Sequence, residues 1–95
     1  DTGISGRTAS SVGKLLRTLG RHVQVITVTH LPQVAASADH QFLVTKTNNS
    51  SETVSKVERL NEEGRVDEIS RMMGGSVVTE ATRESARALL AGSER

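Results

Sequence analysis

The feature that most constrains the fold is a single apolar run between two stretches of helical periodicity. Its β-branched residues are Val23, Val25, Ile26 and Val28. We predict a strand over residues 22–29, and a run this apolar is typical of a strand covered on both faces, as in a parallel sheet. The strand ends at His30. In open α/β sheets, ligands bind at the carboxyl ends of the strands, so His30 is a candidate ligand contact.

Helices are predicted on both sides of this strand. Apolar residues recur at helical spacing over residues 7–19, and Gly20 is expected to end that helix. Pro32 suits the first turn of a short helix that continues to Ala38. One strand between two helices is too little for a self-contained parallel sheet. We therefore expect the chain to be a piece of a larger domain.

The middle of the chain predicts a β-hairpin. Residues 40–47 and 52–60 are strand candidates, and Asn48-Asn49-Ser50-Ser51 between them is a turn signal. The two strands are therefore expected to pair antiparallel through a four-residue connection.

Two helices are predicted after the hairpin. The first is amphipathic, ends at Gly74-Gly75, and has the inward-facing residues Val66, Ile69, Met72 and Met73. The methionine pair is interpreted as core filler. Thr79 is expected to cap the second helix, whose predicted inner face includes Ala81, Ala88 and Leu89. The predicted fold class is α/β, with one parallel strand flanked by helices, then a hairpin and two C-terminal helices.

Composition excludes several function classes. The 95 residues are 35% hydrophobic, with a net charge of +1, one aromatic residue (Phe42) and no cysteine. A base-stacking nucleic-acid surface normally needs several aromatic residues, and thiolate metal sites and disulfides need cysteine. No apolar stretch approaches the roughly 20 residues that span a bilayer. The default expectation is a soluble cytoplasmic protein that does not interact with membranes.

Known chemical motifs are mostly absent. Gly13-Lys14 fails the P-loop pattern because Leu15 follows the lysine where Ser or Thr is required. The three histidines, His22, His30 and His40, do not have the spacing of metal ligands, so no metal site is predicted.

Long stretches of the chain nevertheless resemble one known family. "DTGISGRTASSVGKLLRTLG", "VITVTHLPQVAASADHQFLVTK" and "RVDEISRMMGG" closely resemble, in this order, the C-terminal ATPase-head segment of the bacterial RecN family of DNA repair proteins. These proteins are relatives of the SMC proteins within the ABC-type, P-loop ATPases. The resemblance covers essentially the whole chain. It implies that residues 1–95 form the C-terminal lobe of a RecN-type ATPase head.

The resemblance also implies a set of site residues. Residues 1–6 correspond to the end of the Walker B segment and the D-loop, which crosses the interface between two heads. Residues 29–33 correspond to the H-loop, in which His30 is the switch histidine that senses the γ-phosphate and is the expected catalytic residue. The D-loop residues are Asp1, Thr2, Gly3, Ile4, Ser5 and Gly6.

The implied function is ATP binding and hydrolysis by an SMC-like protein in double-strand break repair and recombination. ATP and Mg²⁺ would act in the full-length protein, whereas this segment contains no Walker A lysine, signature motif or catalytic glutamate. The segment alone is therefore expected to be inactive. The implied partners are the N-terminal lobe of its own head, a second head in a head-to-head homodimer, and DNA through the full-length protein. The implied location is the cytoplasm, in association with the nucleoid.

Two other interpretations compete with this one. The chain could be a non-catalytic interaction module that uses the Met72 and Met73 face or the hairpin. Direct DNA binding would depend on Arg7, Lys14, Arg17 and Arg21, of which the last three share one helix face. A solvated basic face is the more ordinary meaning of that pattern.

Overall fold

The computed structural model describes residues 5–74 and 77–92, which form four helices and one two-stranded sheet. In chain order the elements are α1 (Gly6–Gly20), α2 (Pro32–Ser37), β1 (Phe42–Asn48), β2 (Thr53–Arg59), α3 (Glu62–Gly74) and α4 (Glu80–Gly92). The α/β class, all four helices and the hairpin are confirmed. The helix that contains Val66 begins at Glu62, because Asn61 accepts a hydrogen bond from the Gly64 amide at 2.8 Å and caps the first turn.

The predicted strand over residues 22–29 is wrong in the described part of the chain. After the turn that follows α1, residues 24–29 adopt neither helix nor strand and pair with no other described segment. Ile26 is 83% exposed and Val28 is 99% exposed. A strand is stabilised by hydrogen bonds to a neighbouring strand. The β-branched residues of this segment favour a strand, but they do not supply that neighbour.

The core lies where α2 meets α3 and α4. Its buried residues are Ala36, Val66, Ile69 and Ala86, and the side chains packed on them are Met72, Met73, Leu89 and Leu90. The methionine pair is therefore core filler, as predicted. The predicted inner face of α4 is partly wrong, since Ala81 and Ala88 are exposed and Ala86 is the alanine that is buried.

Polar contacts also join α3 to α4. The buried Ser70 hydroxyl donates to Thr82 Oγ1 at 2.6 Å, and Arg83 forms an ion pair with Asp67 at 2.9 Å. Thr79 caps α4 as predicted, because its hydroxyl accepts a hydrogen bond from the Thr82 amide at 3.2 Å. On the outer face of α4, hydrogen bonds to Glu80 and then Glu84 raise the pKa of the exposed Arg87 above its ordinary value.

The hairpin extends away from the helices. β1 and β2 pair antiparallel, with Val44 opposite Val57, through a four-residue connection. Apart from the half-buried Leu43, both strands are exposed. At the base, the Leu60 amide donates to the Gln41 carbonyl at 2.9 Å. This bond closes the base of the hairpin.

Gly13 lets α1 and α2 pack closely. A Cβ added there would overlap the Ser37 hydroxyl and lie 3.0 Å from the Gln33 carbonyl oxygen. That carbonyl is fixed, because it belongs to α2 and accepts a hydrogen bond from the Ser37 hydroxyl at 2.9 Å. The contact therefore requires glycine at this position.

We expect Gly13→Ala to destabilise the chain by about 1–3 kcal/mol, because the added methyl group must push the helices apart. The matched control is Gly20→Ala, where an added Cβ meets no atom within 4 Å. Since alanine is the better helix former, the control should be neutral or more stable by up to about 1 kcal/mol. Urea denaturation followed by circular dichroism measures both. Equal stability of the two variants would show that the helices do not depend on this contact.

Candidate functional site

The segment around His30 is held on both sides. The Leu31 amide donates to Thr29 Oγ1 at 3.0 Å. The Leu31 carbonyl accepts hydrogen bonds from the Val34 and Ala35 amides, each at 3.1 Å, and so begins α2. His30 lies between these two anchors with its side chain exposed. The predicted H-loop, residues 29–33, is thus a defined turn in which His30 is exposed.

The start of α1 lies beside this turn. Ser5 is the N-cap of α1, accepting a hydrogen bond from the Thr8 amide at 3.2 Å, and its extended backbone is normal for such a residue. Gly6 follows, and a Cβ added there would lie 3.2 Å from the Gln33 side-chain nitrogen. Gly6 is therefore brought next to Gln33 of the predicted H-loop. The other D-loop residues, Asp1 to Ile4, lie outside the described residues.

Two arginines bind the C-terminal end of α2. Arg65, from α3, donates to the Ala35 and Ala38 carbonyls at 3.1 and 2.9 Å. Arg17, from α1, donates to the Ser37 carbonyl at 3.0 Å and forms an ion pair with Asp39 at 3.1 Å. The last carbonyls of a helix have no partner within the helix, and cations stabilise that end. α2 is therefore fixed by side chains from the helices on either side.

We call the bonds from Arg17 and Arg65 to the end of α2 the arginine clamp. A further hydrogen bond joins this clamp to the base of the hairpin. Arg65 Nε donates to the Gln41 side-chain oxygen at 3.2 Å, and Gln41 is buried. The contacts of Gly6 with Gln33 and of Arg17 with Ser37 place α1 and α2 side by side, pointing in the same direction. Gly6 lies near the start of α2 and Arg17 near its end. Sequence reasoning missed the roles of Gln33, Gln41 and Arg65, and it assigned Arg17 to a basic surface.

The site supplies one side chain suited to phosphate chemistry. An imidazole N–H can donate to a phosphate oxygen or to a water molecule. The two best-formed cavities in the described part have volumes of about 90 and 250 Å³, and His30 lines neither. Small-molecule sites usually measure about 300–1,000 Å³. The described residues thus offer a contact to a ligand held elsewhere, without an enclosing pocket.

Neither a metal centre nor a membrane segment is found within residues 5–74 and 77–92. No three histidine or acidic side chains in this part of the chain are grouped so that they could hold a metal ion. No helix in the same part is long and apolar enough to cross a bilayer.

Several curated bacterial proteins are similar to this chain. It is 49% identical over 90 residues to the DNA repair protein RecN of Vibrio cholerae, 50% identical over 90 residues to that of Streptomyces coelicolor, and 39% identical over 90 residues to that of Bacillus subtilis. Each match covers 95% of this chain and 16% of the relative. No protein-family model matches the chain. The resemblance inferred from the sequence motifs is confirmed by these relatives.

The arginine clamp on α2 leads to a test of stability. We expect Arg65→Met to lower the free energy of unfolding by about 2 kcal/mol, because it removes three hydrogen bonds, two of them partly buried, and keeps the aliphatic stem. Arg71→Met, which removes only an exposed pair with Glu68, should cost less than about 1 kcal/mol. Urea denaturation compares the two. A loss for Arg71→Met as large as that for Arg65→Met would contradict the clamp.

Proposed function

We infer that this chain, which belongs to the RecN family, forms part of the ATPase head of a DNA repair protein. It spans about 16% of the length of the relatives it matches, so the activity belongs to the whole protein. One observation carries the proposal: an exposed His30 is held in a fixed turn, and Gln33 of the same segment packs against Gly6 at the start of α1. An H-loop that packs against the end of a D-loop would give this contact.

In this proposal His30 acts on the γ-phosphate of ATP. Phosphoryl transfer places little covalent demand on the protein, and catalysis depends on positioning and on stabilising charge at the phosphoryl oxygens. The His30 N–H would donate to a γ-phosphate oxygen or orient the attacking water. Mg²⁺, which would offset phosphate charge when bound, requires ligands beyond the described residues.

The anchors on either side of His30 matter to this role. A catalytic hydrogen bond loses its effect when its donor is displaced by about 1 Å. Thr29 fixes the residues before α2, and Arg17 and Arg65 fix the end of that helix. We propose that these three residues position the histidine without touching the nucleotide.

The proposed partner of the exposed apolar surface is the other lobe of the same head. α1 leaves Val12, Leu15 and Leu19 uncovered, and the segment that follows leaves Val23, Ile26 and Val28 uncovered. Apolar surfaces of this kind usually mark an interface.

The remaining proposals concern the whole protein. Two heads would dimerise head to head, with ATP between them and residues 1–6 at the interface. DNA would be bound by the full-length protein, at the nucleoid in the cytoplasm.

A second candidate function is a protein-interaction module. Met72 and Met73 pack in the core, which argues against the version that uses their face. Phe42, Val44 and Val57 form an exposed apolar face on the hairpin, which favours the version that uses the hairpin. The presence of Walker A and signature motifs in the full-length protein would favour the ATPase.

We expect the isolated 95-residue chain to show no ATP hydrolysis above the buffer rate. Its sequence contains no P-loop to hold the β- and γ-phosphates. A coupled phosphate-release assay on the purified chain tests this. Turnover that is abolished by His30→Ala would overturn the expectation.

In the full-length protein we expect His30→Ala to lower kcat by about 10²–10³, which is the usual effect of losing one stabilising hydrogen bond to the transition state. ATP affinity should stay nearly unchanged, since the bond strengthens mainly in the transition state. His22→Ala, at an exposed histidine in the turn after α1, is the matched control and should retain normal turnover.

Turnover, ATP affinity and melting temperature are measured on the same preparations of both histidine variants. A purely structural His30 predicts lower thermal stability, with activity falling only in proportion to the folded fraction. Normal turnover of a folded His30→Ala protein would remove the switch-histidine assignment.

A further inference from the structure

Positive charge is unevenly distributed along the chain. Although the net charge is only +1, residues 2–38 contain four Lys or Arg residues and no Asp or Glu. The four cations lie on α1 or at its C-cap, and they are Arg7, Lys14, Arg17 and Arg21. Local asymmetry of this kind indicates an anionic partner more strongly than the net charge does.

The structure separates these four cations into two groups. Arg17 is occupied by Asp39 and by the end of α2, so it is not available to a partner. The other three are exposed and lie seven residues apart, with exposed hydroxyl residues between them. We name this row the α1 stripe; its members are Arg7, Ser11, Lys14, Thr18 and Arg21.

The α1 stripe is a continuous polar surface. Residues seven apart lie on the same helix face, so the row runs about 21 Å along α1 at 1.5 Å per residue. The Ser11 and Thr18 hydroxyls donate to the Arg7 and Lys14 carbonyls at 3.2 and 3.0 Å. These short side chains therefore stay close to the helix and leave the longer basic side chains room to reach a flat or curved partner.

The stripe is separate from both other faces of α1. Ala9 and Gly13 face α2 and are buried, and helical periodicity puts the stripe on the opposite side. The uncovered apolar residues Val12, Leu15 and Leu19 occupy a third face, which borders the stripe at Leu15. The three cations lie on the side of the stripe away from that face, so a lobe docked there would leave them in solvent.

We propose that the α1 stripe binds the sugar-phosphate backbone of double-stranded DNA. The choice of DNA as the polyanion rests on the proposed function in DNA repair. The three cations span about 21 Å, which is the length occupied by roughly six phosphates of one strand at 3.4 Å of helix axis each.

The chemistry of the stripe favours duplex over single-stranded DNA, and it predicts no sequence preference. Single strands are usually held by stacking on aromatic side chains, and the one aromatic residue, Phe42, lies on the hairpin. The proposed contacts are to phosphates, which position a protein on DNA and carry no sequence information directly.

The test uses the full-length protein and a fluorescein-labelled duplex of mixed sequence. Fluorescence anisotropy gives Kd at several KCl concentrations. If the stripe neutralises three phosphates, the triple variant Arg7→Gln, Lys14→Gln, Arg21→Gln should reduce the slope of log K against log [KCl] by about 2.7. Lys14→Gln alone should reduce the slope by about 1. The control, Lys46→Gln with Lys56→Gln, removes two exposed charges from the hairpin and should leave the slope unchanged.

Ser11→Glu guards against loss of folding in the triple variant. It adds an anion in the middle of the stripe, three and four residues from Lys14 and Arg7, where it can form helical ion pairs. Melting temperature should therefore be retained while duplex affinity falls at least tenfold. An unchanged slope in the triple variant and unchanged affinity in Ser11→Glu would overturn the proposal. Binding of labelled polyglutamate to the stripe in that case would indicate an acidic polypeptide as its partner, and the DNA proposal would still be wrong. Hydrolysis of ATP by the unaltered protein without DNA tests the proposed function separately.

Discussion

The fold depends on how the short helix α2 is held at its C-terminal end. A helix of six residues is too short to be stable alone. Arg17 and Arg65 donate to its last carbonyls, and in doing so they join α1 to α3 through α2. The same short helix carries the His30 turn at its other end. The position of the His30 turn therefore depends partly on two cations at the opposite end of α2.

The elements that the sequence predicted well are those with local causes. Thr79 caps α4 through its own side chain, and the hairpin follows from two β-patterned runs around a polar turn. The prediction for residues 22–29 failed because a strand also needs a neighbour, which no local pattern supplies. Among the alanines of α4, the sequence could not distinguish Ala86 from Ala81 or Ala88, because a small side chain gives little indication of which helix face is buried.

The candidate site was predictable in part for the same reason. His30 was identified from its place between an apolar run and Pro32, and Ser5 and Gly6 from the resemblance to a known family. Arg65 gave no such signal, because its partners at Ala35 and Ala38 lie about thirty residues earlier in the chain. Gly13 gave a weak one: a glycine inside a helix often marks close packing, although only the structure shows that the neighbour is α2.

The hairpin has a consequence for how chains of this kind can change over evolutionary time. Both strands are largely in water, and the hairpin joins the helices near Gln41 and Leu60. Its length is therefore free to vary without disturbing the packing around α2. Side chains alternate between the two faces of a strand, so an insertion of two residues in each strand preserves the pairing, whereas a single residue exchanges the faces. Insertions or deletions of two residues per strand are thus expected in the hairpin. The distance between α1 and α2, in contrast, is constrained by their close contact at Gly13.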